Sequence, residues 1–462
     1  MTSTTIPKPR LQDISGRVID PNDADYDAAR TVFRGGVDKR PALIVRVADA
    51  QDVARVIALA RETGLELAVR SGGHSSAGHS VTEGGIVLDL SDMKGLEIDV
   101  ANRTAWAETG LTAVEVTKAL APHGLAVGFG DTGSVGIGGI TTGGGIGLLT
   151  RKFGMTIDSL LAADVVTADG QLVRADERSH PDLFWALRGG GGNFGVATRF
   201  QYRLHEVPQV LGWMLVQPAT AETIAAFIAE ADKAPEELTT IANIMQCPPL
   251  PFVAEEHHGK LVNFAFVVYA GDTAAGERAL APIRAIAPAI ADLIKPIPLP
   301  EIYPPEEAEY HPLAADRTMF LERVDRGVAK TIIDRTDEHV RATGAQMAGA
   351  QLRVLGGAMA RVPADATAFA LRSSRIMVNL FSMYATPAER PVHEAWIAKM
   401  GAELEQGDKG AYVNFLGFDG ADRIRAAYPG KTWDRLRQIK RRYDPTNLFR
   451  LNQNIPPANV SV

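Results

Sequence analysis

Cysteine is almost absent: Cys247 stands alone among 462 residues, which excludes an intrachain disulfide and any thiolate metal cage. Long apolar runs are missing as well. No stretch of about 18 apolar residues occurs, the length a membrane-spanning helix requires. Residues 1–20 have no apolar centre of the kind a secretory leader carries. Positive charge is not in excess: the formal net charge is −7, and no segment offers a face dense in Lys and Arg. That argues against a nucleic-acid partner. A Walker A lysine loop, internal repeats and low-complexity tracts are absent too. Glu255, Glu256, His257 and His258 look like a ligand set, but adjacent histidines diverge on a helix or a strand. A solvated loop is the reading, and no metal is expected. With 46% hydrophobic and 22% charged residues the composition is that of an ordinary globular protein. No membrane partner is expected, and the cytoplasm is the default address, with a twin-arginine export route left open.

Glycine, by contrast, is abundant and uneven. Ten of the 44 fall in the twenty positions 128–147, and a second cluster, residues 189–192, closes with Asn193-Phe194-Gly195. Helix and strand signals surround them. Asp49 stands where it can cap a helix whose apolar positions Val53, Val56, Ile57 and Ala60 keep a 3.6 period, with Gly64 to end it. Short apolar runs predict strands at 65–69, 86–90, 96–100, 162–167 and 196–204, with a helix at 112–121. The stretch to about Leu204 therefore reads as an α+β or α/β unit on which glycine loops converge. From Pro208 the composition shifts: proline crowds residues 247–251, 294–305 and the neighbourhood of Pro363, while glycine thins out. Helices at 221–234 and 327–343 alternate with strands at 261–269 and 376–384, which predicts a second α+β domain. The tail from about Tyr412 ends in a basic helix at 433–443. Too short to be a domain, it is expected to pack back onto the first. A prior of about 150 residues per domain suits a division into 1–206, 207–411 and a returning segment 412–462.

The most informative six residues are Arg70-Ser71-Gly72-Gly73-His74-Ser75, which follow a predicted strand. Two glycines let main chain approach a bound group and adopt positive φ, hydroxyls and a cation flank them, and loops of this make-up bind anions. Imidazole adds little to phosphate binding, so His74 suggests a second task; its plain alternative is a ring that satisfies a carbonyl. Two windows, Gly128/Gly130/Gly133 and Gly190/Gly192/Gly195, fit G-x-G-x-x-G. Neither has the strand–turn–helix setting and the acidic residue about 20 positions on that a Rossmann fold requires, so such a site is not expected.

More specific is an ordered set of motifs. It begins with Ile44-Val45-Arg46, the capped helix, Arg70-Ser71-Gly72-Gly73-His74 and Gly84-Gly85-Ile86-Val87-Leu88-Asp89-Leu90, and continues through the long glycine run. Asp182-Leu183-Phe184-Trp185-Ala186-Leu187-Arg188 follows, with four glycines and Asn193-Phe194-Gly195 behind it. Tyr412-Val413-Asn414-Phe415, Tyr443-Asp444-Pro445-Thr446-Asn447-Leu448-Phe449 and Asn452-Gln453-Asn454-Ile455 close the set. Spanning nearly the whole chain, it resembles the berberine bridge enzyme-like branch of the vanillyl-alcohol-oxidase flavoprotein superfamily, most nearly its bacterial, 6-hydroxy-D-nicotine oxidase-like members.

The resemblance implies an α+β fold. A two-subdomain FAD-binding domain of the vanillyl-alcohol-oxidase (PCMH) type is completed by the tail, and a substrate domain with an antiparallel sheet roofs the ring. It implies FAD as cofactor, a small organic substrate and molecular oxygen as acceptor, and leaves the oligomeric state open. Cofactor contacts fall on Arg70, Ser71, Gly72, Gly73, His74, Ser75, Gly78 and His79. In the glycine run they fall on Thr132, Gly133, Val135, Gly138, Gly139, Thr142, Gly143, Gly145 and Gly147. Asn193, Gly195, Val196, Asn452 and Asn454 complete them. His74 takes its second task here, as the residue bonded to the flavin 8α carbon. Nitrogen substitution there withdraws electrons and favours hydride acceptance.

The chain departs from this pattern in places. Members with two covalent links carry cysteine at the position of Thr132. Threonine cannot form that bond and Cys247 lies in the other domain, so a single link through His74 is expected, with no cysteinyl bond. Val135 occupies a position where valine resembles oxidases and leucine dehydrogenases. Asn379 stands where a carboxylate acts as general base; an amide takes no proton at neutral pH, so it is expected to orient substrate. Base work then falls to Tyr412, provided a cationic or polar neighbour lowers its pKa from about 10. Otherwise Tyr412 is an aromatic floor with a satisfied hydroxyl, and an amine substrate needs no base. Glu306, Glu307 and Glu309 read as an exposed face. Arg437, Lys440, Arg441 and Arg442 read as a solvated one, with one side chain within reach of a flavin phosphate. The expected activity is an FAD-linked oxidase that takes hydride from a C–H next to a hydroxyl or amine and makes hydrogen peroxide. A dehydrogenase or oxidative cyclase on the same fold, and a flavin-binding protein that has lost catalysis, are the alternatives.

Overall fold

The computed structural model describes residues 11–304, 310–417 and 420–459; the acidic run Glu306, Glu307 and Glu309 lies outside them, as do residues 1–10. Three main sheets organise the chain. In the first, strands lie in the order Arg17–Ile19, Leu43–Arg46, Ile86–Asp89, Leu67–Arg70; the last three are parallel and Arg17–Ile19 is antiparallel to its neighbour. Parallel strands covered on both faces are buried throughout, and Ile86–Asp89 is buried at every position. The helix Ala50–Thr63 connects Leu43–Arg46 to Leu67–Arg70. Asp49 caps it by accepting from the Gln51 and Asp52 N–H groups, and Gly64 ends it at φ 68°. Such a cap contributes about 1 kcal/mol.

The second sheet is wholly antiparallel, in the order Leu96–Asp99, Thr104–Glu108, Val196–Arg203, Leu160–Val166, Leu172–Asp176. The helix Ala113–Leu120 leads from it toward the glycine run, opened by a reciprocal Thr112–Glu115 cap.

The third sheet is the largest. Ala291–Asp292, Val210–Pro218, Leu261–Tyr269, Leu238–Gln246, Met347–Val354, Ile376–Met383 and Ala314–Leu321 pair antiparallel, and Lys295–Ile297 adds to Val210–Pro218. Alternation along each strand gives the sheet two unlike faces. Leu215, Ala265, Ala242, Leu352 and Val378 form a row across it and bury against Ile224, Phe227, Ile332 and Ile397 of the helices Ala221–Lys233, Arg326–Thr343 and Arg390–Leu404. The opposite face carries a polar row, Thr318, Asn379, Gln351 and Asn243. The architecture is α+β.

The end of the chain returns to the first sheet, where Leu448 and Phe449 join the core formed by Val45, Ile86 and Leu88. The sequence predicts solvation for the cations of the last helix, Lys431–Tyr443. Lys440 is instead fully buried. Its ammonium pairs with Asp444 at 2.7 Å and donates to the carbonyls of Asn193 and Phe449. A buried charge is tolerated only when paired and hydrogen-bonded, so this lysine is committed to the fold and not to a phosphate. Among the described residues no helix is long and apolar enough to cross a membrane, and no group of three or more His, Cys, Asp or Glu could hold a metal ion.

Candidate active site

Two glycine loops touch at Gly72 and Gly136. A Cβ on either residue would overlap the backbone nitrogen of the other, so only glycine permits this approach. Ser71 reinforces it: its hydroxyl donates to the Thr109 carbonyl at 2.6 Å and accepts from the Gly138 N–H at 3.2 Å. His74 extends the contact. Its Nε2 lies 2.8 Å from the Ser134 hydroxyl, and its ring stacks on Phe33 with centroids 4.2 Å apart and planes at 19°.

These loops wall a cavity of about 430 Å³, with the second glycine cluster, the end of the chain and the polar face of the third sheet as its other sides. Small-molecule sites have about this size. Of the residues predicted from sequence, Ser71, Gly72, Gly73, His74, Ser75, His79, Thr132, Val135, Gly138, Gly139, Thr142, Asn193, Gly195, Val196, Asn379, Tyr412 and Asn452 line it. Arg70, Gly78, Gly133, Gly143, Gly145, Gly147 and Asn454 do not. Arg70 is buried, its guanidinium turned to the carbonyls of Ser80, Ala29 and Arg30, so it braces the loop from behind. Gly143 and Gly147 make room for the Asn414 side chain and the Phe129 carbonyl, and Gly133 and Gly78 pack against Tyr303 and Val37.

Tyr412 corrects one expectation. Its hydroxyl accepts from the N–H groups of Gly145 at 2.9 Å and Ile146 at 3.1 Å, and from the Asn414 amide at 3.0 Å. Burial outweighs these donors and pushes its pKa up, opposite to the fall that base catalysis needs. At neutral pH it is a protonated phenol with a satisfied oxygen. His79 is neutral for a related reason: burial, and then the nearby charge of Lys39, lowers its pKa to about 4. Asn193 is a clamp. Its amide donates to the carbonyls of Gly190 at 2.9 Å and Gln453 at 3.2 Å, and its oxygen accepts from the Ile455 N–H at 2.9 Å, which ties the second glycine cluster to the end of the chain. Asn379 and Asn452 each have a buried side-chain oxygen with no hydrogen-bond partner. A buried acceptor left so costs about 1–3 kcal/mol, which a ligand donor would relieve.

Several lining residues carry no signal in the sequence. Arg34 pairs with Asp316 of the third sheet and donates to the Ser76 hydroxyl at 2.9 Å. Asp131 accepts from the buried Arg353 at 2.7 Å; Arg353 also donates to Gln351, which donates to Asn243. Asn414 and Gln453, by contrast, sit inside motifs already legible.

Residues 41–176 match the family described as FAD binding domain, and residues 411–456 the one described as berberine and berberine like. An uncharacterized FAD-linked oxidoreductase of Bacillus subtilis (strain 168) is 31% identical across 96% of this chain and 99% of its own. The chain belongs to the berberine bridge enzyme-like family of FAD-linked oxidoreductases. Another relative, (R)-6-hydroxynicotine oxidase of Paenarthrobacter nicotinovorans, is 30% identical over 96% of this berberine bridge enzyme-like chain and 97% of its own. The crystal structure of 6-hydroxy-D-nicotine oxidase from Arthrobacter nicotinovorans matches with a TM-score of 0.87 at 27% identity, covering 98% of this chain and 100% of that one. The enzyme is therefore an oxidoreductase whose cofactor is FAD. The cavity suits that group: Gly139 and Gly192 both line it, and a Cβ on either would enter open space. The unpaired oxygens of Asn379 and Asn452 are matched by the N–H and O–H donors that a flavin dinucleotide and its substrate carry.

Proposed function

We propose that this enzyme is an oxidase whose FAD is attached through His74 alone. Residues 1–206 and 412–462 hold the cofactor, and residues 207–411 cover the substrate side. The observation that carries the reading is His74: an imidazole in the cavity wall, held at its edge by Ser134 and on its face by Phe33, in the loop that Gly72 sets against the glycine run. Thr132 lines the cavity with a hydroxyl where a second bond needs a thiol, and Cys247 is buried elsewhere, among Val216, Met245 and Val262.

FAD, when bound, takes up a hydride equivalent and passes two electrons to oxygen, giving hydrogen peroxide. The chain's own residues bind and orient. Ser71, Ser75, Gly138, Gly139, Thr142, Gly195 and Val196 form the wall against the cofactor. The Asn379 oxygen accepts from the hydroxyl or amine of the substrate and so places the adjacent C–H. With Tyr412 a neutral phenol and Asn379 an amide, neither takes a proton. A neutral amine, which gives up hydride without a base, therefore fits the site better than an alcohol. Val135, short and in the lining, leaves room for a diatomic acceptor.

Hydrogen peroxide release over a panel of cyclic amines, secondary alcohols and sugars tests the activity, with amines expected to respond best. Flavin that reduces without air but reoxidises slowly in it would make the enzyme a dehydrogenase. Wild-type protein on a denaturing gel should keep a fluorescent yellow band that His74→Ala loses. Complete release of flavin from the wild type by acid contradicts the attachment.

A further inference from the structure

We propose that Phe33 is a positioning residue for flavin attachment: its ring fixes the plane of the His74 imidazole that bonds to the cofactor. This rests on the reading of His74 given above.

An imidazole turns about two single bonds, and His74 follows two glycines whose backbone restrains it weakly. Ser134, at 2.8 Å from Nε2, holds one point on the edge of the ring. Contacts at the edge of a ring leave it some freedom to tilt. Phe33 removes that freedom, because its face lies against the imidazole at 4.2 Å and within 19° of parallel. Phe33 is itself well held. Its N–H donates to the Gly73 carbonyl at 3.2 Å, and Tyr310 meets its ring edge-on at 6.2 Å. Its neighbour Arg34 is anchored to Ser76 on one side and Asp316 on the other. The stacking partner thus rides on main chain bonded to the very loop that carries His74, and Phe33 lines the same cavity.

The plane matters because the lone pair of an imidazole nitrogen lies in it. In the attachment step one imidazole N–H and one C–H of the flavin 8α methyl break, a carbon–nitrogen bond forms, and the two hydrogens with two electrons pass to molecular oxygen, giving one hydrogen peroxide. A lone pair turned out of line slows such a step steeply; misplacement by about 1 Å costs on the order of a hundredfold. A leucine of similar volume fills the space of Phe33 but offers no flat surface.

The test compares wild type, Phe33→Leu and Phe33→Trp, produced alike and purified as holoenzyme. Total flavin is read by absorbance, and its covalent share by what stays with the pellet after acid precipitation. The expected result is equal total flavin in all three, with the covalent share of Phe33→Leu down about tenfold and that of Phe33→Trp near wild type. A Phe33→Leu protein as covalent as wild type overturns the inference, and so does a Phe33→Trp protein no better than Phe33→Leu. Loss of total flavin from Phe33→Leu assigns the residue to folding and overturns it too. Wild type without covalent flavin is a different failure, that of the His74 reading itself.

Discussion

Replacing Tyr412 by phenylalanine leaves the Gly145 and Ile146 N–H groups without the hydroxyl to which both donate. Each unpaired buried donor costs about 1–3 kcal/mol, so denaturant unfolding of Tyr412→Phe should show a loss of at least that order. The pH profile of flavin reduction should not move, because the phenol is protonated in the working range. An alkaline limb present in the wild type and missing from the variant would restore Tyr412 as a base. Sequence reasoning found this residue through its motif and left open both a lowered pKa and a satisfied hydroxyl; the second agrees with the structure, because burial is set by neighbours such as Phe369 and Met377 that no local pattern announces. The pairs Arg34–Asp316 and Asp131–Arg353 were invisible for the same reason: each joins residues more than two hundred positions apart. His74 was legible as a cavity residue because its loop is written in six consecutive residues, whereas a bond to the flavin was implied only by the family resemblance.

At the scale of elements, the contact of the two glycine loops makes a sharp prediction. Gly72→Ala places a methyl on the Gly136 nitrogen, and backbone cannot yield as a flexible side chain can. Overpacking of this kind costs about 1–3 kcal/mol, and here it separates two walls of the cofactor site. The purified variant should carry far less flavin per chain than wild type, read as the ratio of flavin to protein absorbance. Normal loading would mean that the loops can part without consequence. Helices capped by side chains were placed from sequence to within two residues: Asp49 accepts from the first turn as its position suggests, and Thr112 and Thr220, not singled out as caps from sequence, do the same. Strands of the third sheet were harder. Leu238–Gln246 is buried along nearly its whole length and so lacks alternation, and Ala314–Leu321 carries Asp316 and Arg317, charges that read as surface but belong to a strand beside the cavity. The polar row Thr318, Asn379, Gln351 and Asn243 exists only once register is known.

For the whole molecule, buried histidines set an acid limit. His79, His205 and His339 have pKa values lowered from 6.5 to about 4, burial being the largest cause in each. His339 meets His393 at 3.0 Å and both meet Ser382, joining two helices to the third sheet. Above pH 6.5 these rings are neutral folded or unfolded. As pH falls from 6.5 toward about 4 the unfolded chain takes up protons that the folded chain refuses, so stability declines across that window and levels off once the folded rings are charged as well. Thermal unfolding followed from neutral pH to about pH 4 should show this slope, and His339→Phe should flatten part of it. A midpoint constant over the window would mean that these rings gain charge freely inside the fold.

The clamp between Asn193 and Ile455 has a consequence in time. Translation proceeds from the amino end, so the segment bearing Asn452 and Gln453 emerges only after every other wall has been made. Until then the chamber stands open along one flank, and its guest has nothing to hold it there. Loading with the yellow cofactor should thus wait for synthesis to pass Ile455, and a ribosome that stalls before it should yield a colourless fragment.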